Sequence, residues 1–143
     1  MKMSVELRRQ NDASHFVATN DDGNSVSIDG APAVGGQNLG FRPMQLALTA
    51  LASCATMDVA PILAKQRQTL TDIRVTASGE RAEGTPSPFT TINLHFDLWG
   101  DIEEDKAHRA LDLAVYRYCS VGAMLSCSVE ITWTLTIHRD GDT

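Results

Sequence analysis

The sequence predicts an α+β fold over residues 1–143, on three observations. Segments at both ends alternate apolar and polar residues with period two, the centre holds a long apolar stretch of helical length, and a helical period of three and four precedes the last alternating segment. Composition agrees with a single folded domain: hydrophobic residues make up 43% of the chain and charged residues 21%. The net charge of −6 leaves no basic footprint, so neither nucleic acid nor a membrane is an expected partner. MKMSVELRRQ has no apolar signal-peptide core, and a cytoplasmic location is the expectation.

Met3, Val5 and Leu7 alternate with Ser4, Glu6 and Arg8, which defines one face of a half-buried first strand. SHFVATND and SVSID read as two further strands joined across DDGN, where Gly and Asn tolerate positive φ. These three form an N-terminal β meander. Residues 30–40, GAPAVGGQNLG, have no periodicity and are expected to be a mobile loop able to act as a lid.

The stretch 43–68, PMQLALTALASCATMDVAPILAKQRQ, is a long helix with proline in its first turn and Lys65 and Arg67 toward its C-terminal end. Its apolar residues run nearly all round, so it is expected to be a buried central helix. Gln45, Thr49, Ser53, Thr56, Asp58 and Pro61 interrupt the run and argue against a membrane span. Pro61 removes the bond to the Met57 carbonyl and is expected to kink the helix or split it in two.

Ile73, Val75 and Ala77, then Ile92, Leu94, Phe96 and Leu98, alternate with polar residues and predict two long strands joined through EGTPSP. Ala107, Ala110, Leu111, Ala114, Val115 and Tyr118 recur at helical steps after the acidic run Glu103, Glu104 and Asp105, giving a second, amphipathic helix that ends at Cys119. A short helical segment, SVGAMLSCS, leads to a last strand with Val129, Ile131, Trp133, Leu135 and Ile137 on one face. The order is βββ-α-ββ-α-(short α)-β. A helix apolar on every side must be surrounded, and one chain supplies too few elements to do so. An intertwined homodimer is therefore expected, with central helices between sheets of both chains and reactive sites near the interface.

The three cysteines, 54, 119 and 127, are too few for a secreted disulfide scaffold and match no common zinc spacing, which leaves reactive thiols or plain buried residues. The four histidines belong to no ligand motif and read as structural or surface residues. A cysteine on a buried helix serves either as a small hydrophobe or as a reactive thiol, and burial makes it inert unless a cation helps it ionise. Asp58, one turn beyond Cys54, has the wrong sign. Any positive charge must come from Arg42, Arg81, Arg8 or Arg9. Cys119 is open to either reading, Cys127 at the start of a strand reads as core filling, and Trp99 and Trp133 read as strand packing.

FRPMQLALTALASCATMDVAPILAKQRQ resembles the central-helix signature of the OsmC/Ohr superfamily, in which Pro, polar residues and Leu precede an Ala-rich turn and a reactive cysteine. VYRYCSVGAML resembles the second signature, a Tyr-Cys-Ser-Val run carrying the partner cysteine, and GERAEGTPSPFTTINLHFDLWG resembles the long hairpin of its YhfA-like branch. The resemblance covers roughly residues 40–138. It implies the OsmC-like fold, a homodimer, and reduction of organic hydroperoxides with Cys54 as the peroxidatic and Cys119 as the resolving cysteine. An external dithiol would restore both thiols, without metal or cofactor. It also implies an apolar substrate pocket of Leu46, Ala50, Leu51 and Met57. Where the best-characterised branch carries a glutamate that pairs with an activating arginine, this chain has Met44 and Gln45. Gln45 is expected to orient an arginine through a hydrogen bond. The alternative is a non-catalytic or redox-sensing dimer that binds a small apolar ligand.

Overall fold

The computed structural model describes residues 1–139 and has the predicted element order. Three short strands, β1 (Glu6–Arg9), β2 (Phe16–Thr19) and β3 (Ser25–Ile28), form an antiparallel sheet in that order. A short 3-10 turn, Pro32–Val34, precedes helix α1 (Pro43–Lys65). Then follow strands β4 (Thr69–Arg81) and β5 (Phe89–Asp101), helix α2 (Glu104–Asp112), a π-helical turn at Leu113–Arg117, helix α3 (Ser120–Leu125) and strand β6 (Glu130–His138). The chain falls into two compact units, residues 1–47 and the remainder from Leu48 onward.

In the first unit the β2–β3 turn forms as predicted. The Asn20 side-chain oxygen accepts from the Asp22 and Asn24 amides, and Gly23 takes φ +84°. The first strand differs from the prediction. It starts at Glu6 rather than Met3, because the register Glu6↔Thr19 to Arg9↔Phe16 exhausts the four residues that β2 offers. Met3, Val5 and Leu7 are exposed rather than half buried.

The loop expected to be mobile is instead tied down by one carboxylate. Asp29, 1% exposed, accepts hydrogen bonds from the Ser14 hydroxyl at 2.7 Å and from the amides of Gly30, Gln37 and Leu39 at 2.8, 2.9 and 3.2 Å. The far end returns to β3, where Phe41 exchanges backbone hydrogen bonds with Ser27 and Asp29. These bonds hold the Asp29 carboxyl at about 2, the Ser14 hydroxyl contributing most and the Gln37 amide next.

Pro43 occupies the first turn of α1, where its missing N–H costs nothing. The helix runs unbroken through Pro61, so the predicted split does not occur. At its end Arg67 adopts φ +60°, the Arg67 amide bonds to the Ala64 carbonyl and the Gln68 amide to the Leu63 carbonyl, which together close the last turn. By length and composition α1 is apolar enough to cross a membrane. Within the chain it buries a single stripe, Leu51, Ala55, Val59 and Leu63, each wholly inaccessible. Ala50, Ser53, Met57, Ala60, Pro61 and Ala64 lie open, so the chain by itself does not bury the helix on all sides.

The second sheet has the order β4-β5-β6. β4 and β5 form the predicted long antiparallel hairpin, whereas β5 and β6 pair in parallel, from Thr91↔Glu130 to Trp99↔His138. A parallel pair needs a crossover, which α2, the π-helical turn and α3 provide. Gly100 takes φ +143°, and a Cβ there would fall 2.0 Å from the Thr69 carbonyl oxygen, so only glycine allows β4 to approach. β5 turns Ile92, Leu94, Phe96 and Leu98 inward and is the centre of the core, joined by Ala107, Ala110, Leu111, Ala114 and Val115 and by the α1 stripe. The opposite face is polar. Asp97 receives the His138 ring nitrogen at 2.8 Å, with His95 at 3.7 Å and Arg74 at 3.8 Å, and Trp99 stacks on His138 with ring centres 4.4 Å apart.

Candidate active site

Cys54 sits three turns into α1 and is half buried, less enclosed than predicted, because it flanks the covered stripe. Cys119 is 4% exposed. It does not end a helix, as predicted, but precedes one. The helical path of α2 widens into the π-helical turn, Tyr118 closes it by bonding to the Leu113 carbonyl, and Cys119 leaves the helix at φ −74°, ψ 109° to cap α3. Its sulfur accepts the Gly122 amide at 3.2 Å, and its S–H points at the Leu51 carbonyl 3.9 Å away, one turn before Cys54. Gly122 is pressed close. A Cβ there would meet the Cys119 sulfur at 3.4 Å and the Val115 carbonyl oxygen at 3.3 Å.

The two thiols act on each other. Burial is the main cause that pushes the Cys119 thiol up, and both a side-chain hydrogen bond with Cys54 and the charge of Cys54 push the same way, against the Gly122 and Val121 amides. Cys119 is thus held as the thiol, mainly by its burial. Cys127 is exposed in the turn after α3, not buried at the start of a strand, because β6 begins only at Glu130.

The residues expected to activate the thiol are engaged near their own turns. Arg8 lies 3.9 Å from Glu6, Arg9 bonds to the Ala13 carbonyl at 3.1 Å and also to that of Asp12, and Arg42 bonds to the Gly30 carbonyl at 3.0 Å. Arg81 bonds to the Ser87 carbonyl at 2.8 Å across its hairpin. Gln45 accepts from the backbone amide of Arg42 at 2.9 Å rather than from a guanidinium in that bond. This is one half of a capping box. The side chain at the third helical position satisfies the amide of the residue before the helix, which has no intrahelical partner at a helix N-terminus.

The four expected pocket residues differ in exposure. Leu51 is fully buried in the core, Met57 is 75% exposed, and Ala50 is exposed. Leu46 lines a pocket of about 410 Å³ in the first unit, with Leu7, Phe16, Ile28 and Pro43, beside Asp29. Asp29 is the residue that sequence reasoning missed. Its signal was an Asp that ends a strand immediately before a glycine-rich loop, a position that favours hydrogen bonds to the following amides. Trp133 donates to Asp112 at 3.0 Å and packs its ring edge against His108. Among the described residues no group of three or more His, Cys, Asp or Glu side chains is placed to hold a metal ion.

This architecture and both cysteine segments match a known family. The family model described as OsmC-like protein matches residues 35–134. The chain belongs to the OsmC-like family. It is 38% identical over 121 residues to the protein YhfA of Escherichia coli K12, covering 82% of this chain and 85% of that protein. A hypothetical protein from Aquifex aeolicus superposes with a TM-score of 0.85 at 28% identity, covering 98% of both chains. An organic hydroperoxide resistance protein from Legionella pneumophila superposes with a TM-score of 0.70 at 16% identity, over 93% of this chain and 96% of that one, which shows a common fold. The resemblance to the YhfA-like branch is thus matched by a relative at substantial identity.

Proposed function

We propose that the chain is a thiol-dependent reductase of organic hydroperoxides. The observation that carries the reading is the electrostatic interaction of Cys119 with a neighbouring Cys54, a half-buried thiol beside a buried one. The Cys54 thiolate attacks the peroxide O–O bond, one oxygen stays on sulfur as a sulfenic acid, and the other leaves as an alcohol after taking a proton. Cys119 then attacks the Cys54 sulfur, its own proton and the hydroxyl leave as water, and a disulfide closes. An external dithiol reduces that disulfide by two electrons. Family membership and the fold shared with named hydroperoxide resistance proteins support the assignment. In assays of cumene hydroperoxide consumption with a dithiol, Cys54→Ser is expected to abolish turnover. Cys119→Ser is expected to leave one oxidation per chain followed by slow, overoxidation-prone turnover. Full turnover by Cys54→Ser sinks the proposal.

A second reading, an OsmC-like dimer that senses redox state or binds a small apolar ligand, is favoured by the open apolar pocket of the first unit and by arginines spent on backbone carbonyls. It predicts oxidation without dithiol-supported turnover. Under either reading the active form is a homodimer in which the exposed α1 stripe of Ala50, Ser53, Met57, Ala60 and Ala64 is covered. Met57→Glu places a charge on that stripe and is expected to shift sedimentation from dimer to folded monomer. An unchanged dimer means another surface forms the interface.

A further inference from the structure

We infer that the reducing thiol enters the cycle at Cys54, and that Cys119 is the sulfur expelled. This inference rests on the proposed disulfide cycle and adds which of its two sulfur atoms is attacked. Thiol–disulfide exchange proceeds by attack of a thiolate on one sulfur along the disulfide axis, so the attacked sulfur must be reachable and the departing one must be able to carry charge. The chain meets the first condition asymmetrically. In the single chain Cys54 is half buried on the flank of α1, whereas Cys119 is 4% exposed and is enclosed by residues of its own chain, so assembly with a second copy cannot uncover it. Burial is the main cause that pushes the Cys119 thiol up, and two backbone amides oppose that rise. The Gly122 amide donates to it at 3.2 Å, and Val121 supplies a second backbone donor.

In the reduced protein the neighbouring Cys54 helps keep the proton on Cys119. That influence disappears once Cys54 is bonded to the reductant, because Cys54 then has no thiolate to repel charge, while burial and the two opposing amides remain. The reductant thiolate attacks the Cys54 sulfur, the Cys54–Cys119 bond breaks, and its electron pair leaves on Cys119, which takes a proton from solvent. The second thiol of the reductant then attacks its own sulfur in the mixed disulfide. Cys54 is released as thiolate and the reductant ends as a disulfide.

The experiment uses the full chain carrying Cys127→Ser, oxidised with diamide so that disulfide formation does not depend on peroxide chemistry. A brief pulse of glutathione, a monothiol that cannot complete the second step, is quenched with acid. Free thiols are then blocked with a maleimide and the peptides mapped by mass spectrometry. The expected product carries glutathione mainly on Cys54 and maleimide on Cys119. Glutathione mainly on Cys119, or spread evenly, overturns the inference and leaves the peroxidase proposal standing. Failure of diamide to join Cys54 to Cys119 overturns both.

Discussion

The two units of this chain are held together by different physics. Every buried apolar side chain among the described residues lies beyond residue 50, from Leu51 to Val129, and gathers around strand β5. In residues 1–47 the one buried side chain is Asp29, a carboxylate. The larger unit owes its cohesion to area removed from water, which is non-directional and worth about 25 cal/mol per Å². The smaller owes its order to hydrogen bonds that converge on one charge, while Met3, Val5, Leu7 and Phe41 stay open. At residues 1–47 this segment is only slightly longer than the roughly 40 residues below which staples are usually needed to fold alone. The difference teaches where chemistry and adaptability reside. The cysteine pair belongs to the unit with the apolar core, and the pinned loop and open pocket belong to the other.

Substitutions at the centre of each unit test this contrast. The largest effect is expected from Phe96→Ala, which empties a fully buried site on β5 and should cost about 3–5 kcal/mol in urea unfolding. A loss below about 1 kcal/mol would mean that β5 is not the centre of the core. Asp29→Asn should act locally. One acceptor oxygen becomes an NH₂ donor facing amides that themselves donate, so the Gln37 and Leu39 amides are expected to lose protection from hydrogen exchange while those of β5 keep theirs. Equal loss in both regions would dissolve the contrast.

A smaller, graded effect is expected from acid. Because the Asp29 carboxyl is lowered on folding from 3.8 to about 2, its contribution is complete above the unfolded value and is lost as pH falls through the folded one. Protection of the Gln37 and Leu39 amides should therefore survive to pH 3.8 and fade toward about 2. Fading that is already complete at the upper value would show that Asp29 is not stabilised by its neighbours.

The residues themselves determined which segments are strands and helices, because period-two and helical patterning are local properties of the chain. β4, β5, β6, the β2–β3 turn, α1 and the short α3 all appear where that patterning places them. The two cysteine segments were legible for the same reason, as runs of residues whose resemblance to a family needs no coordinates. Tertiary structure alone decided what lies next to what. It set the parallel pairing of β5 with β6, the carbonyl bonds that occupy Arg42 and Arg81, and the four donors that meet at Asp29 from residues 14, 30, 37 and 39. It also brought Cys119 to Cys54, 65 residues away, through the turn that lifts Cys119 out of the helical path. Backbone periodicity is written in neighbours along the chain, whereas burial, charge and the pairing of thiols depend on neighbours in space.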